Sequence, residues 1–227
     1  MIDNLPRLYL MHHPQYADTK IQLLLPGGPT SVESYFLNKL CPSNVSVLAP
    51  EQNTRYHCEQ FLFIDFLCQR HSGFLPPEYL EFFHQRVLPR RARKKRNRIL
   101  ISRRKAYARA VTNETELEHA LGPLGFVSAV LEDLSIEAQI ELFFDAEAVV
   151  SPHGAGLTNL LYAHGAVVVE QHPGRQVFPH YYFMSHALHH DYQYWCANGD
   201  TRDSSFSVDA AAVARLLDNA GIGPRPD

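Results

Sequence analysis

The stretch Ser151-Pro152-His153-Gly154-Ala155-Gly156-Leu157-Thr158-Asn159 decides how this chain folds. It lies between Glu147-Ala148-Val149-Val150 and Ala166-Val167-Val168-Val169-Glu170. Two short apolar, β-branched runs around a glycine-rich turn read as a buried strand, a turn, a short helix and a second buried strand that ends in a carboxylate. The glycines are expected to allow a tight turn and a close ligand approach to the backbone. The helix after them aims unpaired N–H groups and its positive dipole end at that ligand, which suits a phosphate or pyrophosphate.

The flanking sequence repeats the same alternation. Ile99-Leu100-Ile101 reads as a strand, and Asn113-Glu114-Thr115-Glu116 as a capping box with Asn at N-cap and Glu at N3. The helix it opens carries Leu117, Ala120, Leu121 and Leu124 on one face, with Gly122 near its end. Residues 126–131 form the next strand, and Ser135 caps a helix bearing Ile136, Ile140, Phe143 and Phe144. A helix over 181–190, a strand over 192–195 and a last helix over 208–217, stopped by Gly221, complete the half. Strands alternating with helices at this spacing predict βαβ units and a parallel sheet, a Rossmann-like domain over 98–227.

The first half is also α/β in pattern. A strand over 20–25 is closed by Pro26-Gly27-Gly28-Pro29, Ser31 caps a helix through Cys41, and 45–48 is a second strand. Residues 56–66 are apolar and aromatic enough for strand structure, and Pro76-Pro77 opens a helix with Tyr79, Leu80, Phe82, Phe83 and Val87. Between the halves run Arg90, Arg91, Arg93, Lys94, Lys95, Arg96 and Arg98. This run reads as a solvated basic linker over 90–97, with an anion-facing rim or a contact with nucleic acid or acidic lipid as the functional alternatives. Acidic residues elsewhere balance it and no aromatics interleave with it, so nucleic acid is not an expected partner. The expected organisation is an N-terminal α/β domain over 1–89, which the resemblance described below makes the acceptor side, the linker, and the Rossmann-like domain.

Composition limits the classes available. The 227 residues are 45% hydrophobic and 20% charged with a formal net charge of −3, which is that of a globular domain protein. No apolar run is long enough to span a bilayer, and the N-terminus lacks a signal-peptide layout, so a cytoplasmic location without a transmembrane segment is expected. An upstream segment would change that expectation toward the secretory pathway. The four cysteines, Cys41, Cys58, Cys68 and Cys196, have no CxxC spacing and read as buried free thiols.

In an open parallel sheet, ligands bind beyond the carboxyl ends of the strands. Three polar groups fall there: Ser102-Arg103-Arg104 with Arg109 and Asn113 after the first strand, His153–Asn159 after the third, and Glu170 after the fourth. Guanidinium groups pair with phosphate oxygens through charge-assisted hydrogen bonds. The turn adds backbone donors, and a carboxylate one strand later can accept from ribose hydroxyls. Together these would hold a nucleoside diphosphate and stabilise negative charge growing on it as a leaving group. Taken singly, His153 could bond a turn carbonyl, Asn113 could be only a helix cap, one of the three arginines could be a surface residue, and Glu170 could be a solvated strand end.

These residues also carry a resemblance. Ile101-Ser102-Arg103, Arg109, Asn113-Glu114, Gln139, then Ser151 through Asn159, then Glu170 resemble, in order and spacing, glycosyltransferase family 61. That family includes protein O-linked N-acetylglucosamine transferases, plant xylosyl- and arabinosyltransferases and bacterial capsular-polysaccharide enzymes. Residues 2–10 look like its His-Trp-x-x-Asp-x-x-Pro-Arg-Leu element without the His-Trp part. The resemblance implies a GT-B-like fold, two Rossmann-like domains with parallel sheets, the N-terminal one shortened here. It implies inverting, metal-independent transfer of a sugar, hexosyl or pentosyl, from a nucleotide-sugar donor, UDP-linked, to a hydroxyl of a glycan or protein acceptor. No cofactor is then expected, and no Asp-x-Asp motif follows a strand. Carried over by position, the donor site comprises Arg103, Arg104, Arg109, Asn113, His153, Gly154, Ala155, Gly156, Leu157, Thr158 and Glu170. Asp3 and His153 are the candidate bases, since a group must take the acceptor hydroxyl proton.

Three other readings compete. A non-catalytic relative would keep the fold and bind a glycan or partner. An NAD(P)-dependent enzyme would use Gly154-x-Gly156 with Glu170, but Asn159 stands where a third glycine belongs. His186, His189 and His190 could offer metal ligands on one helix, yet no HExxH occurs and no acidic ligand is near, so no metal site is expected.

Overall fold

The structure, a computed structural model, describes residues 3–67, 72–106, 108–174, 177–198 and 205–225. The chain divides into two compact units, Met1–Val87 and Leu88–Asp227. No helix among the described residues is long and apolar enough to cross a membrane.

The first unit contains α1 (Leu5–Leu10), β1 (Ile21–Leu24), α2 (Ser31–Leu40), β2 (Val45–Leu48) and α3 (Pro77–Val87). β1 and β2 pair in parallel, with α2 as their crossover, so the expected βαβ unit is present with a two-stranded sheet. The cap of α2 is Thr30 rather than Ser31. Its hydroxyl accepts from Glu33 N–H at 3.2 Å while the Glu33 carboxylate accepts from Thr30 N–H at 2.7 Å. The core lies where α1, α2 and α3 meet around Leu8, Phe36, Leu40, Tyr79 and Phe83, all buried. Residues 56–66 do not form the expected strand. Phe61 and Phe63 are 72% and 62% exposed, and the Phe63 and Phe66 rings lie 4.9 and 4.8 Å from the Arg7 guanidinium. Strand structure requires a neighbouring strand to take the backbone hydrogen bonds, and none pairs with this segment among the described residues.

The second unit runs β3 (Asn97–Ile101), α4 (Glu114–Leu121), β4 (Phe126–Ala129), α5 (Ile136–Phe144), β5 (Ala146–Pro152), a 3₁₀ helix (Ala155–Tyr162), β6 (Val167–His172), α6 (His180–Ala187), β7 (Asp191–Cys196) and α7 (Ala210–Asn219). Its five strands are all parallel, in the order β4-β3-β5-β6-β7. Helices cover both faces: α4 and α7 pack together on one, and α5, the 3₁₀ helix and α6 on the other. Burial on both sides explains why the central strands are apolar without alternation. Val149, Val150, Val168 and Val169 are completely buried, each worth about 1.5–3 kcal/mol in transfer from water. The chain is thus a mixed α/β protein with parallel sheets, Rossmann-like in its second unit.

Local expectations are corrected at three points. Asn113 does not cap α4; its Oδ1 accepts from Val208 N–H and its Nδ2 donates to Val208 C=O, both at 2.9 Å. The same Nδ2 also donates to Glu116, so the capping box is replaced by a clamp on a distant backbone segment. Gly122 is helical, and the left-handed residue that ends this element is Gly125 at φ +77°. Arg90, Arg91, Lys94, Lys95 and Arg96 of the basic run are exposed, yet part of the run is also tied into the second unit. Arg91 pairs with Glu141 and Asp145, and Arg93 donates to the carbonyls of Phe144 and Tyr162 at 2.6 and 2.7 Å. Those carbonyls terminate α5 and the 3₁₀ helix, where the partial negative charge attracts a cation. Arg98 is buried in β3, holding Glu147 through two bonds of 3.0 Å. Of the cysteines, Cys41 and Cys196 are half-buried thiols, Cys58 is exposed, and Cys68 lies outside the described residues.

Candidate nucleotide-sugar site

The strand order places a topological switch between β3 and β5: the connection leaving β3 returns to β4 on one side, and the one leaving β5 returns to β6 on the other. The crevice beyond the carboxyl ends of such a strand pair is where open α/β sheets bind ligands. Here β3 delivers Ser102-Arg103 and β5 delivers His153-Gly154, so the two segments singled out by sequence meet at the switch.

Their contact is close. A Cβ built on Gly154 would overlap Arg103 Nη1. The Arg103 guanidinium donates to Ala108 C=O through Nη2 at 2.9 Å and Nε at 3.3 Å, which orients the fork. Glu114 fixes the loop beneath it, accepting from Ser102 Oγ at 2.5 Å and from Arg103 N–H at 3.4 Å. Arg109 sits in the left-handed region at φ +57°, and its Nε is buried without a hydrogen-bond partner among the described residues. Burial first, and then the nearby Arg109 charge, hold the Arg103 guanidinium below the usual arginine range. Two cations gathered without a carboxylate in ion-pair range among the described residues form a basin for an anion.

The glycines act differently from expectation. Gly154 is extended at φ 168°, and Gly156 is not among the glycines of positive φ. Both positions need room instead. A Cβ on Gly156 would lie 3.1 Å from Leu131 Cδ1 and 3.3 Å from Ile101 Cγ2. The helix that follows is 3₁₀, and its first bond runs from Leu157 N–H to Gly154 C=O at 3.0 Å. The Ala155 and Gly156 N–H groups precede that bond and face the N-terminal end. Ala155 is exposed, Thr158 bonds its own turn through Ala155 C=O, and Leu157 is wholly in the core.

Other expected donor residues have other partners. Arg104 is engaged by Glu114 at 3.0 Å and Glu118 at 2.5 Å; it borders a cleft of about 410 Å³ beside β4, away from the switch. Asn113 is committed to Val208. Glu170 is not a strand-end acceptor for a ribose. It is completely buried, and its two oxygens accept from His153 Nδ1 at 2.5 Å and Tyr192 O–H at 2.6 Å. Asp3 belongs to the first unit, where its Oδ1 accepts from Ser72 Oγ at 2.8 Å.

Around His153 the structure gathers residues that the sequence did not single out. The imidazole stacks on Phe178 at 4.7 Å and His172 at 5.4 Å, with Tyr181 edge-on at 5.6 Å. Glu170 and His172 share a face of β6, as residues two apart must, and register puts Tyr192 of β7 on that face too. Alternation on a strand was the available signal for His172; Tyr192 depended on strand pairing. His153, Glu170 and His172 have ligand-capable atoms within 4.8 Å of one another, a grouping the histidines of 186–190 do not make. His190 is instead buried, its Nδ1 accepting from Ala166 N–H at 3.0 Å.

The family model Glycosyltransferase 61 matches residues 1–169. The chain belongs to glycosyltransferase family 61. No curated protein matches it. The family 61 match covers the first unit and the second as far as β6, so it includes Arg103, Arg109 and the His153–Asn159 turn, while Glu170 and Tyr192 follow it. Glycosyltransferase activity, with a sugar donor and an acceptor as substrates, follows from that membership.

Proposed function

We propose that this protein is an inverting, metal-independent glycosyltransferase of GT-B type. It moves a hexosyl or pentosyl group from a UDP-linked donor to a hydroxyl of a glycan or protein, as in polysaccharide biosynthesis or protein glycosylation. The observation that carries the reading is the meeting of Arg103 with Gly154 at the β3–β5 switch, with Arg109 close by and no carboxylate paired to either among the described residues. Two guanidinium groups and the N–H groups of Ala155 and Gly156 suit a diphosphate. They would stabilise the charge that grows on it as the sugar leaves, the task a metal performs in other designs.

Arg104 and Asn113 enter this reading as supports of the loop rather than as donor ligands. Full burial of Glu170 argues against the NAD(P) alternative, which needs that carboxylate on a ribose. His153 beside the diphosphate turn and Asp3 in the first unit are the two candidate bases. Thermal shift with UDP, in the presence of a chelator, tests the donor site: stabilisation is expected by linkage. A panel of nucleotide sugars read by hydrolysis then identifies the donor. Chelator-resistant UDP binding without turnover of any sugar would favour the non-catalytic relative; no UDP response, or one abolished by the chelator, would refute the proposal.

A further inference from the structure

The donor-site reading uses His153 but leaves three groups beside it unexplained: the buried Glu170 and His172 and the half-buried Tyr192. We infer that Tyr192 and Glu170 are positioning residues that fix the tautomer of His153 and present its Nε2 lone pair to the acceptor hydroxyl. The inference rests on the transferase reading above and deepens it by choosing the base.

Hydrogen-bond polarity fixes the tautomer. Tyr192 is half-buried; desolvation first, and then the Glu170 charge, push its ionisation well above the usual tyrosine range. It therefore donates to Glu170 Oε2 at 2.6 Å. The other carboxylate oxygen lies 2.5 Å from His153 Nδ1, and a carboxylate accepts only, so the proton of that contact sits on Nδ1. A neutral imidazole with Nδ1–H carries its lone pair on Nε2. His172 does not compete for the carboxylate. Its Nε2 stands 3.9 Å from Glu170, both its ring nitrogens lack hydrogen-bond partners among the described residues, and burial first of all depresses its protonation. Glu170 is completely buried, out of reach of substrate, whereas the His153 side chain keeps 8% exposure.

The acceptor oxygen forms a bond to the anomeric carbon while the bond from that carbon to the diphosphate oxygen breaks. The electron pair leaves on the diphosphate, held by the arginines. The hydroxyl proton passes to His153 Nε2, and the resulting imidazolium is stabilised by Glu170 until it releases the proton to solvent. A carboxylate that orients a histidine in this way is familiar from hydrolytic triads.

Glu170→Gln tests the polarity directly. Tyr192 O–H keeps the amide oxygen on its side, so the amide NH₂ faces His153 Nδ1 and forces the proton onto Nε2. We expect nitrogen NMR of the imidazole to show Nδ1–H in the wild type and Nε2–H in E170Q. In E170Q, kcat falls about 10²- to 10⁴-fold, while donor KM and UDP affinity stay unchanged. In E170Q/Y192F the amide is free to turn over, so Nδ1–H returns in part and kcat rises above that of E170Q. A wild-type Nε2–H tautomer overturns the inference, and that measurement decides it even if E170Q fails to fold. So does a loss confined to KM. So does a stoichiometric zinc ion, found by elemental analysis and lost in His172→Ala, which would make the cluster a metal centre. Failure of the transferase reading shows separately, as a wild type that does not bind UDP, and the tautomer still decides the dyad.

Discussion

Replacing Gly154 by alanine separates the two roles a glycine can have at a phosphate turn. The residue is extended, at φ 168°, a conformation any residue adopts, so the backbone cost of the change is small. What the new methyl meets is the far end of one flexible side chain, Arg103 Nη1. The guanidinium must swing off the turn and give up its bonds of 2.9 and 3.3 Å to Ala108 C=O. Those two bonds share one carbonyl at a half-buried surface, where a displaced guanidinium is rehydrated, and contribute about 1–2 kcal/mol together. Tm of the free protein should therefore drop by about 2–8 °C. Binding should suffer more, because a displaced Arg103 cannot bond the diphosphate. A hydrogen bond to a charged group contributes about 1.5–3 kcal/mol, so UDP binding should weaken roughly 10- to 150-fold. Titration calorimetry with UDP, beside a melting curve of the free protein, reads both quantities. An unchanged Kd with an unchanged Tm would show that Arg103 does not face the ligand. A collapse of Tm by more than about 10 °C would show that the side chain cannot yield, and the packing argument would be wrong.

Further outcomes follow from the same contacts. Arg103→Ala should abolish the UDP-induced thermal shift, whereas Arg104→Ala, whose guanidinium is held by Glu114 and Glu118, should keep most of it. Equal effects of the two would remove the basis for assigning Arg103. Gly156→Val, in contrast to Gly154→Ala, presses on Leu131 and Ile101 in the core and should cost about 1–3 kcal/mol of stability, measured by urea unfolding. His190 is pushed down to about 4, burial being the main cause. Its folded-state value lies below the unfolded one of about 6.5, so the unfolded chain takes up the proton first. Stability is thus expected to fall as pH drops from about 6.5 toward 4. His190→Gln, which can still accept from Ala166 N–H, should flatten that part of the pH–Tm curve; an unaltered slope would contradict the assignment.

Much of the second unit was legible in residue order. Its central strands are short β-branched runs buried on both faces, and Ser135 caps α5 as read, accepting from Ala138 N–H at 3.2 Å. Local chemistry settles such features, because a strand's burial and a helix's first turn are written in neighbouring residues. The family was legible for the same reason: its motifs are contiguous strings. Misreadings arose where a side chain had a choice of partner. Asn113 has the residue type and the position of a cap, yet Val208, ninety-five residues on, takes its amide. The basic run has the composition of a solvated linker, but the ends of two helices supply carbonyls and Asp145 supplies a carboxylate. Aromatic residues at 56–66 suggested a strand, and none is available to pair with it.

The glycine turn shows the division most clearly. By itself the sequence determined that a buried strand runs through Val149-Val150, that a turn with backbone donors follows, and that arginines leave another strand, because these depend on short-range pattern. Only the tertiary structure decided that β3 and β5 are neighbours on opposite sides of a switch. That pairing places Arg103 against Gly154 and makes room, rather than backbone conformation, the reason for glycine. It likewise turned Glu170 from a ligand acceptor into the buried partner of His153 and Tyr192. A carboxylate at a strand end has the same letters around it whether solvent or two hydrogen-bond donors cover it, and the covering comes from β7 and from the turn after β5.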